Sequence, residues 1–221
     1  MEEVKLRNLN FKRKITIILF YLLLGITSYL LFSYYIQYKQ IITPLQPDET
    51  KYEVSLSHGT LYFNNYKFPE EEEYDYDSTK IYTKKITTNK YIDYLGTDPR
   101  PKEIKYVPNE ITTSPQTQYY NKKDTIVNDT YKFTYTNSSK SKYVNIYVSK
   151  NKEPNYSPLK DIKELDISKI FKTPIKICYY KDYNKQYHFL AQFKYNKIGY
   201  TITSFNLSQE EFIKTLYTIV D

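Results

Sequence analysis

An α+β fold is predicted for this chain: an N-terminal transmembrane helix, followed by an extracytoplasmic, mostly antiparallel sheet with a C-terminal helix packed on it. Three observations predict it. Residues 15–36 carry no charge. The last ninety residues or so hold several runs in which apolar and polar positions alternate, the period of a half-buried strand. Residues 208–220 then change to a helical period behind an N-capping signature.

The membrane segment comes first. Thirteen of the 22 residues from Ile15 to Ile36 are Ile, Leu or Phe. At about 1.5 Å per residue such a helix is about 33 Å long, enough for a hydrocarbon core of about 30 Å. On an insertion scale those thirteen contribute roughly −4 to −8 kcal/mol if all sit centrally. Lys12, Arg13 and Lys14 abut the entry end and only Lys39 lies near the exit. Positive residues stay inside, so residues 1–14 read as a cytoplasmic basic tail and the chain as single-pass. Tyr34, Tyr35 and Tyr38 suit the far interface. A cleaved signal peptide has a shorter apolar core and a small-residue cleavage site, and neither matches this segment. Tyr21 and Tyr29 flank Gly25 at four-residue spacing, which gives no close-packing helix-pair motif.

Residues 37–50, with Pro44 and Pro47, read as a stalk. Residues 51–221 read as the extracytoplasmic domain. Tyr52, Val54 and Leu56 alternate with Glu53, Ser55 and Ser57; His58-Gly59 reads as a turn into a second strand with Leu61 and Phe63. From about 65 to 130 the pattern weakens. Glu70–Glu73, Asp75 and Asp77 form an acidic run, and Pro99, Pro101, Pro108 and Pro115 punctuate a stretch expected to hold short strands and exposed loops.

Thereafter Tyr131, Phe133 and Tyr135 share a face, as do Val144, Ile146 and Val148, and then Ile175, Ile177 and Tyr179. Phe189, Ala191, Phe193 and Tyr195 follow, and Asn196-Lys197 turns that strand into Ile198–Phe205. Ser208 and Glu211 form a capping box, and Glu210 and Glu211 suit the positive end of the helix dipole. Phe212, Ile213, Leu216 and Val220 fall on one stripe, with Gln209, Lys214 and Thr218 opposite.

Composition narrows the function. The net charge is +7, of which +3 lies in residues 1–14, where five basic residues meet two acids. The rest is spread in mixed runs, unlike the clustered charge of a nucleic-acid binder, so no nucleic-acid partner is expected. The single cysteine, Cys178, forms no intramolecular disulfide and reads as a buried strand residue. Tyr occurs 28 times and Trp not at all. Abundant Tyr, Lys, Asn and Ile together fit an AT-rich genome. Tyr62, Tyr143, Tyr147 and Tyr180, opposite the expected core faces, are nevertheless the candidate binding surface.

Chemistry-bearing motifs are sparse. With four glycines there is no glycine-rich phosphate loop, and Ser57-His58 lacks the turn of a nucleophile elbow. His58 and His188 are the only histidines, too few for a typical zinc site, and no metal or other cofactor is expected. The Glu70–Asp77 run lacks the spaced ligands and glycine of a calcium loop and reads as a solvated charge run.

Phe189-Leu190-Ala191-Gln192-Phe193, Gly199-Tyr200-Thr201-Ile202 and Leu207-Ser208-Gln209-Glu210-Glu211-Phe212-Ile213 carry a resemblance. Roughly residues 140–221 resemble a family of uncharacterised extracytoplasmic domains of Gram-positive, often spore-forming, bacteria. That family is similar to the curved-sheet outer domains of envelope-stress regulators and lipoprotein carriers, often borne on proteins with anti-sigma-factor-like cytoplasmic parts. The resemblance implies a curved sheet, with a hairpin and a closing helix, and it carries over no catalytic residues. Fourteen residues are too few to fold and hold a sigma factor, so the inner output is lacking here. The expectation is a non-enzymatic binding or sensing protein of the cell envelope, linked to sporulation or envelope stress, whose partners are the lipid bilayer and an envelope protein or cell-wall ligand. The alternatives are a membrane-anchored hydrolase of wall polymers and an assembly partner of other membrane proteins. The sequence leaves the oligomeric state open.

Overall fold

Tyr, Phe and β-branched residues dominate the strands, where flat or branched side chains pack well on a pleated surface. A computed structural model describes residues 2–41, 51–66, 68–71, 80–101, 104, 110–113, 116–121, 123, 125–150, 152–154, 156, 158–159 and 167–220. The chain forms two compact units, Met1–Gln40 and Ile41–Asp221.

The first unit is one helix, α1 (Glu2–Ile41). It begins within the basic segment and runs into the first residues of the expected stalk; residues 42–50 lie outside the described residues. Its stretch Lys14–Tyr35 has a mean hydropathy of 2.3, long and apolar enough to cross a membrane. Thr27 donates its hydroxyl back to the carbonyl of Leu23 at 3.0 Å, satisfying a polar group inside the apolar stretch.

The second unit is α+β. In chain order it comprises β1 (Lys51–Leu56), β2 (Gly59–Asn65), β3 (Ile81–Ile86), α2 (Thr88–Leu95), β4 (Glu110–Thr113), β5 (Gln116–Asn121) and β6 (Ile126–Asn128). Then follow β7 (Tyr131–Thr136), β8 (Tyr143–Lys150), β9 (Ser168–Ile170), β10 (Thr173–Lys181), β11 (Tyr187–Tyr195), β12 (Ile198–Phe205) and α3 (Gln209–Val220). Nine strands form one sheet in the order β1-β2-β9-β10-β11-β12-β8-β7-β4, and β3-β5-β6 form a small second sheet. Pairing is antiparallel apart from a short parallel contact of β2 with β10. The weakly patterned 65–130 stretch therefore supplies the small sheet, the edge strand β4 and the helix α2. The acidic run beyond Glu71 lies outside the described residues.

Turn chemistry fixes register. Asn196 and Lys197 have φ of 49° and 66°, the paired left-handed conformation of a two-residue hairpin turn that matches strand twist. Tyr195 consequently faces Ile198, and the register runs unbroken to His188 opposite Phe205.

One face of the large sheet is apolar in successive rows. Tyr131, Val148, Tyr200, Phe193 and Ile175 form one row; Phe133, Ile146, Ile202, Ala191 and Ile177 form the next. All belong to a single buried core. α3 lies on this face, with Phe212 stacked 4.7 Å from Phe189. Its capping box forms as expected: Glu211 N–H donates to Ser208 Oγ at 3.2 Å and Ser208 N–H to Glu211 Oε2 at 2.8 Å. Phe212, Ile213, Leu216, Ile219 and Val220 are buried. Gln209 was expected on the polar side but is only 6% exposed. As the first residue of the helix it is turned toward the sheet with Phe212 and Ile213, and both its amide atoms are buried without a partner among the described residues.

α2 packs on the same face, its Tyr91 and Leu95 belonging to the same buried core as the α3 side chains. Its start is capped by Thr87, whose Oγ1 accepts from Lys90 N–H, and its end by Gly96 at φ +84°. Tyr91 packs 4.8 Å from Tyr131 and donates its hydroxyl to the carbonyl of Asp129 at 2.7 Å.

The opposite face carries a smaller buried cluster of Leu159, Cys178 and Leu190, with Phe68 and Tyr156 against it. Gln192 ties the covering segment down: its Oε1 accepts from Leu159 N–H at 3.1 Å and its Nε2 donates to the Tyr156 carbonyl at 3.4 Å. Tyr147, expected to point outward, is only 6% exposed, because Tyr156 packs against it.

Candidate functional site

A cleft of about 400 Å³ lies between the segment that follows α2 and the end of α3. One wall is the segment Thr97–Pro101 that follows α2, and the other is the last turn of α3, through Thr218 and Ile219. The β11–β12 hairpin closes it with Tyr195, Asn196 and Tyr200.

The first wall is stiff. Pro99 and Pro101 bracket Arg100 and fix φ on both sides of it, and both prolines are buried. The Tyr135 hydroxyl donates to the Pro101 carbonyl at 2.8 Å and anchors the segment to the sheet. Burial pushes the Tyr135 phenol up to about 12, against the lowering effect of Arg100, so it stays a donor at neutral pH.

Asp98 and Arg100 form a two-pronged pair: Nε donates to Oδ1 at 2.9 Å and Nη2 to Oδ2 at 2.7 Å. Arg100 N–H also donates to Oδ1 at 3.0 Å, closing the turn. The side-chain hydrogen bonds from Arg100 hold the Asp98 carboxyl below its ordinary value. Asp98 is 44% exposed and Arg100 31%, so the pair faces the cleft mouth. Tyr200 lines the cleft, and its ring stacks on Phe193 at 5.1 Å. Burial, then Tyr195 and Asp98, raise its phenol, which remains neutral. Asp98 is the cleft's one lining carboxylate among the described residues.

The residues singled out from sequence lie elsewhere. Ser57 and His58 form the two-residue turn between β1 and β2, and the His58 ring stacks 4.8 Å from Phe171. His188 stacks 4.5 Å from Tyr180 on the opposite sheet face and lies 3.1 Å from Asp182 Oδ2. Asp182 is held below its ordinary value chiefly by the Gln186 N–H, and by His188 among others. Cys178 is buried, and its burial raises the thiol well above its ordinary value, the setting of an unreactive cysteine. No group of three or more His, Cys, Asp or Glu positioned for a metal occurs among the described residues.

Tyr62, Tyr143 and Tyr180 are half-buried on that opposite face. Tyr180, His188, Phe205 and Tyr143 stand in one cross-strand row, with Tyr180 flat on His188 and Tyr143 flat on Phe205. These rings spend their faces on one another, so the row is less a stacking platform than a packed strip.

The cleft escaped sequence analysis because it joins three segments far apart in the chain. The local signal within Asp98-Pro99-Arg100-Pro101 was a charge pair set in a stiffened segment. Comparison with known proteins adds no assignment: no protein-family model matches the chain, and neither curated proteins nor solved structures give a significant match.

Proposed function

We propose that this chain is a membrane-anchored binding or sensing protein of the cell envelope, with its α+β unit outside the membrane and no chemistry of its own. The observation that carries the reading is the cleft: about 400 Å³, within the range of small-ligand sites, and walled by aromatic rings and one arginine-locked carboxylate. A hydrolase of wall polymers uses two carboxyl groups facing the scissile bond. Asp98, already engaged by Arg100, fits recognition better than proton transfer.

The apolar stretch Lys14–Tyr35 supports anchoring, and Lys12, Arg13 and Lys14 at its entry support a cytoplasmic N-terminus. A cleaved leader is the rival for the same helix, and the size of the protein recovered from membranes separates the two. The resemblance of residues 140–221 to Gram-positive extracytoplasmic domains supports an envelope role in sporulation or stress. The test is thermal unfolding of the full chain in detergent, with and without solubilised wall fragments. A ligand at a hundred times its Kd adds about 2.7 kcal/mol, a rise of about 5–10 °C. An unchanged midpoint, or release of new reducing ends from the fragments, contradicts the proposal.

A further inference from the structure

We infer that the cleft takes a positively charged aliphatic amine, a primary ammonium group on a short methylene stem. The inference rests on the reading of the cleft as a binding site and names the ligand chemistry.

Three features converge on it. First, the last turn of α3 lines the cleft, and no basic residue stands in that turn. Helix C-termini carry partial negative charge and free carbonyls, and no lysine or arginine of α3 neutralises this one. The end of α2 differs, because Lys150 Nζ already donates to the Tyr94 carbonyl there at 2.9 Å. Second, Asp98 lies in the opposite wall with 44% of its side chain exposed. Third, Tyr195 and Tyr200 line the cleft, and aromatic side chains attract cations and cover methylenes.

Arg100 is the opposing charge. Its Nε and Nη2 are committed to the two oxygens of Asp98, so the pair is close to neutral. The end of α3 then tips the balance toward a cation. Lys197, in the same turn as Asn196, is exposed and outside the lining. The phenol of Tyr200 has no partner among the described residues and stays protonated, which leaves its oxygen able to accept from an ammonium N–H.

The test uses the full chain in detergent micelles and ligand-observed NMR titration with three probes: Nα-acetyl-lysine amide, its Nε-acetylated form, and Nα-acetyl-glutamate amide. The lysine probe is expected to bind, and loss of its charge to weaken binding about tenfold or more. Asp98→Asn, which leaves Arg100 unbalanced, is expected to weaken it by a similar factor, and Arg100→Gln to strengthen it. Melting curves of both variants establish that they are folded. Wall fragments with free or acetylated amines distinguish a wall-borne amine from a free one; preference for the free-amine fragments, like binding of the soluble probe, supports the chemistry. Preference for the glutamate probe, weakened by Arg100→Gln, overturns the charge assignment while leaving a binding cleft. Stabilisation by wall fragments whose amines make no difference, with no probe bound, overturns the amine inference alone. Failure of both probes and fragments overturns the inference and the binding role together.

Discussion

The two faces of the nine-stranded sheet are made by the same strands and closed by different means. The first face is apolar in unbroken rows, and two capped helices lie across it. The second mixes Cys178 and Leu190 with Gln192, Thr201, Thr203 and Asn145, and short irregular segments cover part of it. On the first face burial of apolar area holds the cover down. On the second, a small apolar cluster and two hydrogen bonds between the Gln192 amide and the backbone hold it, and each such bond exchanges one with water for one within the protein, for a net of about 1 kcal/mol. The first face should therefore carry the stability, and the second should tolerate change. The cleft falls on the first, where Tyr200 belongs to the buried core and Pro99 and Pro101 stiffen one wall.

The hardest test of that contrast removes α3. Deleting residues 208–221 strips five buried apolar side chains from the first face, each stabilising by roughly 1.5–3 kcal/mol, against a typical domain stability of about 5–15 kcal/mol. The α+β unit is expected to lose its cooperative melt by circular dichroism; an unchanged midpoint contradicts the assignment.

A paired truncation sharpens it. Phe212→Ala opens a cavity between Phe63 and Phe189 and is expected to cost about 3–5 kcal/mol. Leu190→Ala, equally buried on the second face, is expected to cost only about 2–3 kcal/mol, because the segment around Leu159 can settle into the space. Equal losses in denaturant melts would erase the difference between the faces.

Smaller effects follow. Ser208→Ala removes the capping oxygen of α3 and is expected to cost about 1 kcal/mol. Tyr143→Ala on the second face loses one stacked contact with Phe205 and is expected to cost about 0.5–1.5 kcal/mol. A larger loss from Tyr143→Ala than from Phe212→Ala reverses the ranking.

The smallest effect is a pH dependence at the cleft. Asp98 titrates below its ordinary value when folded, chiefly through the hydrogen bonds from Arg100. Its contribution is therefore present above the unfolded carboxylate value and lost as pH falls through the depressed folded one. An NMR titration is expected to place its midpoint below 3.8, and Arg100→Gln to move it upward. A midpoint unmoved by that substitution breaks the link between the two side chains.

Much of the first face was legible in the sequence, because alternation and capping are local. Tyr131, Phe133 and Tyr135, the β11–β12 turn and the Ser208–Glu211 box each announce themselves within a few residues. The second face was not, because its burial depends on what crosses it. Nothing near Tyr147 predicts that Tyr156 will lie against it, and nothing near Gln192 shows that its amide will bind the backbone at Tyr156 and Leu159. Gln209 misled for a related reason: a polar side chain in the first turn reads as exposed until the strand before it sets the helix direction. α2 was missed because eight residues give too short a period, although Thr87, the Tyr91–Leu95 spacing and Gly96 marked its ends. The cleft was hidden for the same reason as the second face, its walls meeting only in three dimensions.

The proposed topology has the α+β unit outside the membrane, and residue accessibility tests that most directly. Cys178 is buried and Tyr183 fully exposed, so a Tyr183→Cys variant reports location against a silent background. With a membrane-impermeant maleimide on intact cells, the account predicts labelling of the Tyr183→Cys variant and none of the parent chain. Labelling of that variant only after the cells are broken open would contradict it.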